Sequence, residues 1–280
     1  MPWSAPAYTA VANAAGYAPN MVEYYSNWTE DFSSTDVFDA YAEGALPVIT
    51  WEPFAHGTSG KTQVNQPGYA LSTIVAGRHD AYITRFAEAV KAAGVPVAIR
   101  FMHEMNGDWY PWAVNLNGNT ASEYVLAWRH VWDIFHQVGA TNVIWIWAPN
   151  VLRGAQRDFS LAEVYPGDQY VNWVGMSAYE DYESTEEALI GPTLDEIRRF
   201  TKLPLLITET GGTPNPDKVP WMENFLAWLP EQPDVIGFIW NENSRGTGAR
   251  KDWGYNATAA SLQAFRSGMA EIRLATIPAA

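Results

Sequence analysis

The chain alternates between short runs rich in β-branched and aromatic residues and longer segments whose apolar positions recur at helical spacing. The short runs at 21–28, 46–53, 95–104, 142–148, 173–179, 203–209 and 235–240 read as strands. Several are nearly continuous in apolar residues, as strands covered on both faces are. Pro47, Pro96 and Pro204 fall near strand starts, where a missing N–H costs little. Thr120-Ala-Ser-Glu123 is a capping box. Behind it Val125, Trp128, Trp132 and Phe135 share one helical face, and Gly139 closes the helix. Thr193-Leu-Asp-Glu196 predicts a second helix start. Segments 78–93, 219–229 and 257–272 complete the helical set, and residues 4–15 read as loop and helix.

This alternation predicts βα units around a parallel sheet. With no internal repeat or low-complexity linker, residues 1–280 read as one domain. The expected architecture is a (β/α)8 TIM barrel, which commonly takes about 250 residues. Only seven strands are found, so the eighth is expected at the front, truncated, irregular or formed poorly by residues 1–8. The tail at 272–277 is the weaker way to fill that slot. A doubly wound open sheet is the alternative, but neither G-x-G-x-x-G nor G-x-x-x-x-G-K-[ST] occurs.

Composition narrows the function. The net charge of −14 repels phosphate backbones and anionic headgroups, which argues against nucleic-acid and membrane-surface partners. No apolar run is long enough to span a bilayer. Cysteine is absent, which removes thiolate chemistry, disulfides and cysteine-based metal sites. The opening MPWSAPAYTA has neither the basic nor the apolar part of an export leader. Asn27 and Asn256 lie in N-x-T sequons, which matter only in a eukaryotic secretory pathway. Fourteen Trp, 14 Tyr and 11 Phe fit either a core of large side chains or a sugar binder that stacks pyranose rings on aromatic faces.

Barrel chemistry sits at the carboxyl ends of strands. Glu52, Glu104, Glu180, Glu209 and Glu242 fall at such ends. Glu104 follows Arg100 and His103 and precedes Trp109, Tyr110 and Trp112. A carboxyl among rings has its pKa raised by desolvation, which suits a general acid. Glu209 ends an apolar strand ahead of Gly211 and Gly212. The two glutamates are expected to face each other across the barrel mouth. A gap of about 5–5.5 Å makes such a pair a retaining glycosidase, and about 6.5–9.5 Å an inverting one. For each glutamate a capping, ion-pair or turn role is the structural alternative.

His103-Glu104-Met-Asn-Gly107 with Trp109 and Trp112, Trp51-Glu-Pro53, and Thr208-Glu209-Thr-Gly211 resemble glycoside hydrolase family 26 over most of the chain, from about residue 21 to 253. The resemblance implies a (β/α)8 barrel acting on β-mannan, mixed-linkage β-glucan or β-1,3-xylan with retention. It implies Glu104 as acid/base on the fourth barrel strand and Glu209 as nucleophile on the seventh. The seven strands then become the second to eighth, again placing the missing strand at the front. Asp108-Trp-Tyr-Pro-Trp112 departs from the Trp-Phe-Trp-Trp run of the common mannanases and looks more like the glucanase-type members.

The resemblance also implies that Tyr179 hydrogen-bonds the nucleophile and that Trp240 floors the cleaved sugar's site. The alternative for both is core packing. Arg100, four residues before Glu104, shares its strand face by the period of two and ion-pairs either with Glu209 or structurally. His103 orients Glu104 or touches substrate; as the neighbouring strand residue it points away, so a core histidine is the alternative. Trp51, Trp109, Trp112 and Trp147 are candidate sugar platforms, with core positions the alternative for about half of them. Asn150 contacts sugar or makes a turn. Glu52, Asn106, His56, Glu180 and Glu242 are weaker contacts, for which surface or loop roles are favoured. No zincin, calcium-loop or G-x-S-x-G pattern occurs, so no metal or cofactor is expected. The expected enzyme is a monomeric, extracellular endo-glycanase whose leader lies outside these residues, with a polysaccharide or oligosaccharide as its only expected partner. A non-catalytic sugar-binding barrel and a transglycosylase on the same site are the alternatives.

Overall fold

The computed structural model describes residues 4–55, 61–152, 158–181, 185–244 and 251–276. Its strands are β1 (Met21–Asn27), β2 (Leu46–Glu52), β3 (Val97–Phe101), β4 (Val143–Trp147), β5 (Trp173–Glu180), β6 (Leu205–Gly212) and β7 (Val235–Trp240). They form one sheet in chain order, each parallel to the next. The α-helices among the described residues are α1 (Ala5–Ala15), α2 (Ser34–Ala42), α3 (Lys61–Val64), α4 (Leu71–Val75), α5 (Asp80–Ala93), α6 (Ala121–Val138), α7 (Glu186–Ile197), α8 (Lys218–Trp228) and α9 (Ala259–Met269). The sheet curls until Met21 of β1 reaches Gly237 of β7, where an added Cβ would meet the Met21 Cε at 3.4 Å. β1 and β7 share no ladder, so this is a (β/α)8-type barrel with seven strands among the described residues.

Residues 5–8 do not supply the eighth strand: Ser4 caps α1 by accepting from the Ala7 N–H, and Gly16 ends the helix at φ 80°. Nor do residues 272–276. They run outside the sheet, where the Asn20 side chain donates to the Ala275 carbonyl at 2.8 Å. The expected helix start at Thr193 is also corrected. Thr185 caps α7, and Thr193 lies buried within it, its hydroxyl accepting from the Leu152 N–H. The Thr120 capping box and the Gly139 stop of α6 are as expected.

Strand parity divides the interior in two. Leu46, Val48, Ala98, Ile146, Ala148 and Leu206 point inward and fill the barrel's lower part, joined by Met21, Ile144, Trp173 and Ile239. The larger apolar layer lies between sheet and helices and holds most of the tryptophans. Asn27 is buried with its side-chain oxygen taking the Thr29 N–H, so its sequon offers no accessible acceptor.

Candidate active site

Above the apolar floor the inward positions turn polar. Arg100 on β3 has no exposed side-chain surface. Its Nη1 lies 3.2 Å from Glu23 on β1 and 3.3 Å from the Thr50 hydroxyl on β2, and it makes a short contact with Glu209 on β6. Its Nη2 donates to Ser177 on β5 at 2.6 Å and stands 3.9 Å from Glu104. Desolvation weighs against the guanidinium's charge, but Glu209, Glu23 and Glu104 outweigh it and raise its pKa. Losing one partner of so buried a pair leaves an uncompensated charge, at a cost of about 3–5 kcal/mol.

Both principal glutamates reach this centre through departures from regular strand geometry. β6 carries a bulge at Thr208: Met176 pairs with Ile207, but Ser177 pairs with Glu209. Ile207 faces the outer layer, and a regular strand would send Glu209 the same way. The extra residue turns its carboxylate inward, as bulges beside functional sites do. Glu104 is not on a strand at all. β3 ends at Phe101, and Met102 and Glu104 take left-handed φ values of 44° and 52°. The turn is fixed by Tyr124 donating to the Met102 carbonyl and by the Glu104 N–H donating to Ala148. Such conformations cost about 1–3 kcal/mol each and persist where surroundings impose them.

That turn also corrects the expectation for His103. The period of two ends at Phe101, so His103 does not point away from Glu104. A ring nitrogen of His103 and one carboxylate oxygen each of Glu104 and Glu209 lie within 4.8 Å of one another. The His103 Nε2 is 2.9 Å from the Tyr110 hydroxyl, and Nδ1 has no partner. Burial, then Arg100, lowers the His103 pKa and keeps the ring neutral. The spacing of the three groups also suits a divalent ion, but the Arg100 guanidinium already supplies a fixed cation against Glu209, and an added ion would meet like charge.

Glu104 and Glu209 keep 8% and 11% of their side-chain surface open, so both are reachable from the mouth. The Trp109 indole N–H donates to Glu104 Oε2 at 2.6 Å. Gly107 permits this, because a Cβ there would stand 2.4 Å from the Trp109 ring. Burial first, then Glu209, raises the Glu104 pKa; Arg100 and hydrogen bonds with Ser177 and Asn150 pull it back. Tyr179 donates to Glu209 Oε2 at 2.6 Å, and the Asn241 amide donates to the Tyr179 hydroxyl at 2.7 Å. The Asn106 side chain clasps the Asn150 backbone, its amide nitrogen donating to the carbonyl and its amide oxygen accepting from the N–H, each at 2.8 Å, tying the β3 and β4 exits together.

Three of the four expected platforms are core instead. Trp51 and Trp147 occupy outward positions, their indoles donating to the Tyr82 hydroxyl and the Val164 carbonyl. Trp112 is fully buried, donates to the His103 carbonyl at 2.7 Å and stacks on Tyr110. Only Trp109 is half-exposed. Trp240 pairs with outward-facing Thr210 and packs among Trp221, Phe225, Tyr255 and Phe265, so it does not floor the site. Glu180 and Glu242 point elsewhere, toward Asn215 and the Tyr255 N–H. His56 lies outside the described residues. Sequence reasoning missed Glu23, Thr50, Ser177 and Asn241. The signal for Glu23 was an acid inside an otherwise apolar strand; Ser177 is two residues before Tyr179 and so on its face.

Residues 58–228 match the model of Glycosyl hydrolase family 26. The chain is 31% identical over 263 residues to Endoglucanase H of Acetivibrio thermocellus, covering 89% of this chain and 27% of that protein. It thus spans about a quarter of that relative's length. It is 25% identical to a mannan endo-1,4-beta-mannosidase of Bacillus subtilis, covering 82% of this chain and 68% of that one. Among solved structures, a GH26 beta-mannanase from Bacteroides ovatus superposes with a TM-score of 0.69 at 17% identity, over 93% of this chain and 82% of that one, a likeness of fold. On the extent of the family match, more than half of its length, the chain belongs to glycosyl hydrolase family 26.

Proposed function

We propose that the chain is a retaining endo-β-glycanase that hydrolyses a β-linked polysaccharide, β-1,4-mannan or β-1,3-1,4-glucan, by double displacement. The observation that carries this reading is the meeting of Glu104 and Glu209, from distant parts of the chain, with one carboxylate oxygen of each within 4.8 Å. Retaining pairs stand about 5–5.5 Å apart; the water of an inverting mechanism needs about 6.5–9.5 Å.

In this reading Glu209 attacks the anomeric carbon while Glu104 protonates the departing oxygen. Glu104 then takes a proton from water, which displaces the sugar from Glu209. The environments differ in the required sense. Glu209 receives Arg100 and Tyr179 as donors, and Glu104 has its pKa raised by burial and by Glu209. His103 and Asn150 border the acid, and the Trp109 ring offers a stacking face beside it.

These residues act as one monomeric catalytic domain on extracellular polymer. No helix among the described residues is long and apolar enough to cross a membrane. Reducing-sugar release from β-mannan, mixed-linkage β-glucan and β-1,3-xylan, with product lengths read out, tests the reading. Oligosaccharides of intermediate length from one polymer are expected; no release from any of them overturns it.

A further inference from the structure

Glu52 ends β2 on the inward face, two residues beyond Thr50 and so one layer nearer the mouth than Arg100, with which Thr50 pairs. It is 6% exposed. Among the described residues its carboxyl has no hydrogen-bond partner, unlike those of Glu23, Glu104 and Glu209. Glu52 lines a cavity of about 570 Å³ with Tyr25, Asn27, Phe54, Gln63 and Tyr110. That cavity adjoins the centre, because the Tyr110 hydroxyl is 2.9 Å from His103 Nε2.

We propose that Glu52 is a sugar-binding residue whose carboxyl hydrogen-bonds the hydroxyls of a neutral pyranose seated in the β1–β2 side of the mouth, next to the scissile bond. The inference rests on the glycanase reading and adds to it a specificity-determining contact. The lining fits such a unit. Phe54, Tyr25 and Tyr110 supply apolar faces for the ring, and Gln63 adds an amide at the rim. Glu30, Asp31 and Asp36 also line the cavity, so an anionic ligand is repelled. Burial first, then Glu209, raises the Glu52 pKa, while Arg100 opposes them. A protonated carboxyl donates through one oxygen and accepts through the other, so one side chain serves two neighbouring hydroxyls.

The test is binding in the Glu209→Ala background, where turnover does not interfere. Calorimetric affinities for a manno-oligosaccharide and a mixed-linkage gluco-oligosaccharide are compared with those of added Glu52→Met and Glu52→Gln. Methionine fills the volume without hydrogen-bonding oxygens and removes a buried unpartnered acid, so the fold should hold. A loss of about tenfold or more in affinity is expected for Met. Gln keeps a donor and an acceptor and should stay within about threefold. Met binding as tightly as the parent, or Gln losing as much as Met, overturns the proposal. Should the parent bind neither oligosaccharide, the glycanase reading fails and the role of Glu52 with it.

Discussion

Two aromatic-rich regions lie back to back across this sheet and do opposite things. Outside it, Trp28, Trp51, Phe86, Phe101 and Trp128 pack ring against ring in a layer with no ionised group among them. Inside, at the mouth, Tyr25, Tyr110 and Tyr179 stand among Arg100 and four glutamates. The residue types overlap; for those carried on strands, parity separates them. Fourteen tryptophans therefore say little about sugar binding until each one's face is known. The exceptions to parity bring in the rest: the bulge at Thr208 turns Glu209 inward, and the left-handed pair at Met102 and Glu104 brings His103 beside both glutamates.

Substitutions on the two faces should fail differently. The largest effect is expected for Glu209→Ala, which should lose about 10⁴-fold or more in turnover and, because it leaves buried Arg100 short of a partner, also lower the melting temperature. Azide should restore activity and give a glycosyl azide of inverted configuration. Glu104→Ala should lose about 10²–10⁴-fold on polymer but much less on an aryl glycoside with a good leaving group. There azide should rescue with retained configuration. If neither variant slows the enzyme a hundredfold, the inner face is not the catalytic one.

On the outer face, Trp51→Ala should cost about 3–5 kcal/mol of stability by opening a cavity beside Phe86 and Phe101. The protein that remains folded should keep its turnover within about twofold. A loss of turnover without a fall in denaturation midpoint would move Trp51 to the substrate side and erase the contrast.

The smallest effect is electrostatic. Burial pushes the Glu23 pKa up to about 7, with Arg100 and the Thr50 hydroxyl pulling down and Glu209 pushing further up. Its folded value lies above the ordinary 4.5, so the stability it contributes is present below about pH 4.5 and is lost as pH rises through about 7. Melting temperature should therefore fall between pH 5 and 8, and Glu23→Gln should flatten that fall. An unchanged slope would mean that Glu23 is ionised throughout.

Much of this was legible in the sequence. All seven strands were found, because buried parallel strands are continuous apolar runs and their register is a local matter. Glu104 and Glu209 were legible through their motifs, and Tyr179 and Arg100 through their positions relative to them. The rest depended on orientation. Extrapolating the period of two past Phe101 turned His103 outward, because nothing in Met102-His-Glu104 announces two left-handed residues. Trp51, Trp147 and Trp240 sit at strand ends, where both faces are in prospect, and only the ladder decides. Thr193 imitated a helix start because the capping-box pattern is short enough to recur inside a helix.

The central claim is the proposal that Glu104 and Glu209 act as acid/base and nucleophile with retention. The anomeric configuration of the first-formed product, followed by proton NMR before mutarotation, tests it most directly. The account predicts the β-anomer from a β-linked substrate; first appearance of the α-anomer would contradict it.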